Sequence, residues 1–441
     1  MARANLTEIE RQKIKDSLNA TRERRKNQTI RVFEFKVNCH HTSKETFTKM
    51  HEYFKQAKWI KNDMLVWSEL YEENSIFNYT YLNHKTVTRK DKDGNSLEEK
   101  ISLPVYYHRA LVNQTKQEIV NLSKAKAKGN KVGRLKFKSE VNCIPIITGG
   151  CKIIDRTHIT IPGFRNLKVY GLDQVDKIGD YEIADGKLLR KASGFYIHLS
   201  ICLDKKHYNN KKKYKEVGLD FGIKDSIITS DGEKFNCRVQ ESEQLKFLQK
   251  QLHRKQKGSK HYYKLINQIR REYEHLSNKK KDASNKLMHH LLENYDMIYF
   301  QDEQISKWKT VKHSKKTNRR LNNLSFGKQI QSSYLGRVKT KLVSLESVSS
   351  FKIDRFCPTT KLCPNCGMLN NISLNERTYH CDCGYVMDRD VHAAKNVKMF
   401  GSTKRAECLE QASVESLTSV GLDFQSCKPR CRSENKEDSS L

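Results

Sequence analysis

Long apolar runs are missing from this 441-residue chain, and only 37% of its residues are hydrophobic. Nothing approaches the roughly 18 consecutive apolar residues that a membrane-spanning helix needs, so neither a transmembrane segment nor a membrane partner is expected. No export signal is expected either, because Met1 to Lys26 is polar and charged. Acidic residues are in deficit: 51 Asp and Glu stand against 83 Lys and Arg, a formal net charge of +32. Solubility requires far less charge than that, so a polyanionic partner is expected, nucleic acid ahead of an anionic membrane surface. An even, export-linked set of cysteines is also absent. Thirteen cysteines in a long chain without a signal argue for reduced thiols and a metal site rather than a disulfide framework.

The order of periodicities divides what is present. Residues 1–29 form a basic arm with Arg22, Arg24, Arg25 and Lys26 clustered, either flexible or an ordinary solvated helix. Phe33, Phe35 and Val37 alternate as a strand, and Ser43 caps a helix with Phe47, Met50, Phe54 and Ala57 on one face. A second helix is expected over Arg109 to Lys126. From Leu135 the period shifts towards two, most strictly in Phe195, Ile197, Leu199, Ile201 and Leu203. The early strand and this later set (30–43 and 135–205) are read as one β-barrel interrupted by a helical insertion, 44–134. A lysine-rich linker, 206–216, marks the boundary to a second, α/β domain. Val217 to Leu219 and Met297 to Phe300 read as its strands, each running into acids, with long basic helices over Glu241 to Glu293 between them. Residues 403–441 carry little apolar pattern and are expected to be a disordered tail.

Two clusters carry chemistry. Cys363-Pro-Asn-Cys366-Gly and Cys381-Asp-Cys383-Gly supply four thiols on two tight turns, the requirement of a closed, structural, tetrahedral Zn²⁺ site. The second pair is one residue shorter than zinc ribbons usually have, which leaves His380 as an alternative ligand. Three acids end or follow apolar segments: Asp220, Glu303 and Asp390. Singly, each reads as a turn or cap residue. Jointly, in a basic protein, carboxylates from distant segments suit hard divalent cations in phosphodiester chemistry.

In order, Gly-Leu-Asp220-Phe-Gly, the basic stretch with Lys257-Gly-Ser-Lys260, Gln301-Asp-Glu303, Cys363-Pro-Asn-Cys366-Gly and Asp388-Arg-Asp390-Val-His392-Ala-Ala-Lys-Asn resemble the TnpB family. These are transposon-encoded, RNA-guided nucleases related to the type V CRISPR effectors, and the resemblance is specific from about Val217 to Val397. It implies an α/β RuvC-like, RNase H-type nuclease domain (217–355 and 386–402) with a zinc ribbon (356–385) inserted, and an N-terminal β-barrel wedge carrying the helical insertion. It implies Mg²⁺-dependent cleavage of double-stranded DNA next to a short flanking motif, a guide RNA partner, and a cytoplasmic, nucleoid-associated location. Asp220 and Asp390 match the first and last catalytic acids, with His392 where Asn is usual. In the middle motif a direct alignment puts Gln301 at the acid. Shifting to Glu303 restores it, with Asp302 as the runner-up, and strand alternation is expected to place 301 and 303 on one face. A miniature type V effector and a nuclease-dead RNA-guided DNA-binding regulator are the alternative readings.

Overall fold

A computed structural model describes residues 7–70, 76–80, 85–90, 96–176, 178, 180–204, 215–309, 326–345, 349–373 and 376–418. The chain forms two compact units, Met1–Lys211 with Lys255–Glu274, and Lys212–Arg254 with His275–Leu441. No helix among the described residues is long and apolar enough to cross a membrane.

The first unit opens with helix α1 (Glu8–Lys26), so the basic arm is ordered from Glu8 onward. Thr7 and Glu10 close a capping box at its start, and Arg24, Arg25 and Lys26 fall in its last turn, where cations complement the helix dipole. Strands β1 (Gln28–Val37), β4 (Cys143–Ile146), β5 (Lys152–Ile153), β6 (His158–Ile161), β7 (Phe164–Tyr170), β8 (Glu182–Lys191) and β9 (Gly194–Asp204) make one antiparallel sheet in the order β4-β8-β9-β1-β7-β6-β5. The sequence expectation of a β-barrel is corrected here. Strands β4 and β5 stand at the two edges, and no ladder among the described residues joins them. Helices cover the apolar face of this sheet. Met50, Tyr53, Phe54, Ala57 and Ile60 of α2 (Lys44–Leu70) and Tyr107 and Leu111 of α3 (Val105–Ala127) are buried in one core with Phe35, Ile144, Ile197, Leu199 and Ile201 of the sheet. Each such side chain contributes about 1.5–3 kcal/mol by leaving water. Between these helices lies a hairpin, β2 (Thr86–Lys90) with β3 (Ser96–Lys100), and a short helix α4 (Asp173–Asp176) follows β7.

The second unit holds a mixed five-stranded sheet. Strands β10 (Glu216–Phe221), β11 (Ile227–Thr229), β12 (Lys234–Phe235), β13 (Met297–Gln301) and β14 (Ser350–Ile353) lie in the order β12-β11-β10-β13-β14. The first three pair antiparallel, whereas β13 runs parallel to both β10 and β14. Parallel neighbours need crossover connections, and the helices supply them. Helix α5 (Glu243–His253) is followed by a break at Gly258, whose φ of 93° suits glycine, and by α6 (Lys260–Asn294), which begins in the first unit and ends in the second. Helices α7 (Gly327–Ser332) and α8 (Leu335–Ser344) precede β14. A hairpin of β15 (Thr378–His380) and β16 (Val386–Asp388) then leads into α9 (Arg389–Thr418). That helix continues past residue 403, where the sequence led us to expect the tail to begin. Of the expected lysine-rich linker, 206–216, residues 206–214 lie outside the described residues and Glu216 already belongs to β10; the end of the tail, 419–441, also lies outside them.

Candidate active site

Asp220 closes the apolar run of β10, and β10 pairs with β13 so that Leu219 faces Phe300. The two strands therefore deliver Asp220 and the turn after Gln301 to one end of the sheet. Helix α9 brings Asp390 in its first turn. Asp388 caps that helix, accepting the backbone N–H groups of Asp390 at 3.0 Å and Val391 at 3.1 Å. Glycine makes the approach close. A Cβ on Gly218 would run into the Ala394 carbonyl oxygen and reach 2.6 Å from the Lys398 backbone nitrogen, so α9 packs directly against the β10 backbone.

Asp220 feels the charges of the other two expected acids. Asp220 is pushed up to about 7, first by burial and then by the negative charges of Asp390 and Glu303. Burial also raises Glu303, against the opposing pull of Lys339 and Arg355. Asp390 lies 3.4 Å from the Arg389 guanidinium and 3.8 Å from that of Arg377. The carboxylates are close enough to feel each other's charge but do not pack as tightly as a single-ion cage. Among the described residues, only the cysteine set brings three or more His, Cys, Asp or Glu ligand atoms within 4.8 Å of one another. Carboxylate oxygens from three separate segments are a donor set of the kind a hard divalent cation takes.

Residues 301–303 separate by environment. Asp302 is bound by Lys339 Nζ at 2.7 Å and Arg355 at 3.4 Å, and the Lys339 contact holds its carboxyl below the usual range. Gln301 turns its amide towards the backbone of residues 354–357. The alternation we expected along this segment does not reach Glu303. Strand β13 ends at Gln301, and the Glu303 N–H donates to the Gln301 carbonyl at 2.8 Å in a tight turn. Turn geometry, not pleat, sets where Glu303 points.

The four cysteines come together. Sγ of Cys363 is 3.6 Å from that of Cys383, and Sγ of Cys366 is 3.5 Å from that of Cys381. Zinc–sulfur bonds near 2.3 Å in a tetrahedron put sulfurs about 3.8 Å apart, so the donor set fits Zn²⁺. Each turn closes on a glycine with positive φ, Gly367 at 74° and Gly384 at 84°, which any Cβ would strain. The one-residue spacing of the second pair still delivers both sulfurs, and His380 is exposed on β15, outside the set. Asn365 hydrogen-bonds Cys383 Sγ and, with the Tyr385 N–H, brings that thiol down to about 6.

His392 is fully buried and stacks on Tyr379 at 3.8 Å, with Nε2 3.1 Å from Asn396 Nδ2. Burial lowers it to about 4, so it is a neutral packing group between α9 and the ribbon. Along α5, α6 and the break between them, Arg254, Lys255, Lys257, Lys260, Arg270, Arg271, Lys279 and Lys281 are exposed, whereas Lys280 is half-buried and donates to the Gln331 carbonyl. Tyr263 and Tyr273 are exposed as well. The sequence is basic again from Lys307 to Arg320, of which residues 310–320 lie outside the described residues. Sequence reasoning missed Lys339 and Arg355, whose role depends on a fold that brings them to the acids from 36 and 52 residues after Glu303.

Two family models match. Residues 200–322 fit the family described as "Probable transposase", and residues 341–397 fit "Cas12f1-like, TNB domain". The first segment contains Asp220 and Glu303, and the second contains the four ribbon cysteines and Asp390. A Streptomyces pristinaespiralis protein named "Putative RNA-guided DNA endonuclease" is 30% identical over 189 residues, 42% of this chain and 45% of that protein. A TnpB-like protein of Acanthamoeba polyphaga mimivirus is 31% identical over 151 residues, 33% of this chain and 27% of its own length. The chain thus spans less than half the length of these curated relatives. A solved Cas12f1–sgRNA–target DNA complex aligns over 81% of this chain and 83% of that one, at a TM-score of 0.41 and 14% identity, values at which the likeness carries no argument. The sequence motifs and the two matching families, over residues 200–322 and 341–397, together support a TnpB family protein.

Proposed function

We propose that this protein is a transposon-encoded, RNA-guided DNA endonuclease that cleaves double-stranded DNA at a Mg²⁺ site formed by Asp220, Glu303 and Asp390. The observation that carries this reading is the convergence of β10, β13 and α9 on one sheet end, where Asp220 is pushed up to about 7 by burial and by the charges of Asp390 and Glu303. Groups so arranged release that repulsion by taking up cations. Bound Mg²⁺ would supply an activated water and neutralise charge at the scissile phosphate.

The chain's own residues prepare this site. Lys339 holds the Asp302 carboxylate and also donates to the Glu303 carbonyl at 2.6 Å, fixing the turn that presents the Glu303 side chain. Asp388 fixes Asp390 through the start of α9. Arg377 and Arg389 beside Asp390 add positive charge where a phosphate backbone would approach. Zn²⁺ on the four cysteines would be structural, since four protein ligands leave no open position. A guide RNA and a DNA target are the partners we propose, supported by the net charge of +32 and by the names of the relatives. Base pairing would then carry sequence, and protein the backbone.

Cleavage by the ribonucleoprotein tests the assignment. Glu303→Gln and Asp390→Asn are each expected to lower the rate by about a hundred-fold or more, as loss of a charged metal ligand does, with guided DNA binding retained. Full cleavage by Glu303→Gln would remove Glu303 from the site. Guided binding without cleavage in every form, the unmodified chain included, would identify a nuclease-dead regulator.

A further inference from the structure

Gln301 stands where a direct alignment with the family expects an acid, and its surroundings give it different work. It is the last residue of β13, 7% exposed, one step beyond the Leu219–Phe300 pair and so level with Asp220. Its Nε2 donates towards the carbonyls of Asp354 at 3.2 Å, Arg355 at 3.1 Å and Cys357 at 3.0 Å. Its Oε1 accepts from the buried Thr359 hydroxyl at 3.2 Å. From the other side, Asn396 of α9, fully buried, donates to the carbonyls of Thr359 at 2.7 Å and Leu362 at 2.8 Å. Tyr379 donates to the Lys361 carbonyl at 3.1 Å.

Residues 354–362 run from the end of β14 to the first zinc cysteine, Cys363. They belong to no strand or helix, and turn bonds reach only some of their carbonyls: Asp354, Cys357 and Lys361 each accept one backbone N–H, while those of Arg355, Thr359 and Leu362 are met by side chains. Three side chains add bonds to six of these carbonyls. One comes from the strand that leads to Glu303, and another from the helix that presents Asp390. A carboxamide does this because it donates and accepts at once. A carboxylate only accepts, and would set its charge against three carbonyl oxygens with no hydrogen to give them.

We propose that Gln301 is a positioning residue that, with Asn396, clamps the root of the zinc ribbon to the sheet end carrying the acids, and that an acid at 301 would disrupt the site rather than complete it. The inference rests on the proposed nuclease site for its catalytic consequence, but not for its structural one.

The test uses the full-length chain with its RNA. Gln301→Glu is expected to speed hydrogen exchange within residues 354–362 and zinc loss to a chelator, each by roughly ten-fold or more, the range set by one lost buried hydrogen bond. Its kcat on guided DNA should fall with KM unchanged, because acids are displaced and phosphate contacts are not. Thr359→Val removes only the hydrogen donated to Oε1 and should shift exchange in the same segment more weakly, which keeps the proposal open to refutation if Gln301→Glu does not fold. Unchanged exchange and zinc loss in both variants, or faster cleavage by Gln301→Glu, would overturn the clamp. Altered exchange and zinc loss in a protein that cleaves in no form would support the clamp and refute the nuclease reading.

Discussion

Asp220 concentrates the chemistry of the site in a single side chain. Its carboxyl titrates near 7 instead of an ordinary 3.8, so the folded, metal-free protein binds this proton more tightly than the unfolded chain does. The folded pKa is the higher one. Stability associated with the neutral form is therefore complete below about pH 4 and is lost as pH rises through about 7. Asp220→Asn, neutral at every pH, should stabilise the metal-free protein at pH 8 by up to roughly 4 kcal/mol and flatten its melting temperature between pH 4 and 8. Thermal melts in the presence of a chelator check this; an unchanged slope would mean the site is not under charge stress. Asp302 should behave differently, since Lys339 and Arg355 already neutralise it. Asp302→Asn is expected to keep cleavage within about ten-fold and to cost about 1 kcal/mol, the scale of a partly exposed ion pair. A dead Asp302→Asn with an active Glu303→Gln would reverse the assignment.

At the scale of elements, α9 matters most, because it carries Asp390, Asn396 and the face that seals β10 and β13. Gly218 and Gly401 make that seat. A Cβ on Gly218 would meet the helix backbone, and one on Gly401 would meet the Tyr299 ring. Gly218→Ala should therefore cost about 1–3 kcal/mol by overpacking and reduce cleavage by moving Asp390 outward, measured by melts and single-turnover rates. Elements with strict periodicity were legible in the sequence. The alternation Phe195, Ile197, Leu199, Ile201, Leu203 is β9, fully buried on one face, and Phe47, Met50, Phe54 and Ala57 fall on α2. Strand β8 was not legible, because Glu182 to Lys191 mixes charge into both faces and one residue of register is lost between Ile183 and Asp185. Nor was the turn at Glu303, since hydrogen bonding across residues 301–303, not hydrophobicity, ends β13. The open edge of the first sheet was hidden for a related reason. Only packing reveals that α2 and α3 cover the face a barrel would have closed.

For the whole molecule, if nucleic acid is the partner as proposed, a net charge of +32 and the exposed basic residues of α5 and α6 predict an affinity that falls steeply with salt. A log–log plot of affinity against salt should be linear with a slope of several, and a flat plot would mean that phosphate contacts are few. Metal analysis should find about one zinc per chain, and Cys363→Ser should loosen residues 354–362 in hydrogen exchange by removing the ion that folds the two turns. The claim on which the rest depends is guided cleavage. RNA recovered with the purified protein should be sequenced, and double-stranded DNA carrying its matching sequence beside a randomised flank incubated with the ribonucleoprotein and Mg²⁺. We expect cutting of matched DNA only, confined to a subset of flanks and abolished by chelator or by Asp220→Asn. Matched DNA left intact, or cutting that ignores the match, would contradict the account.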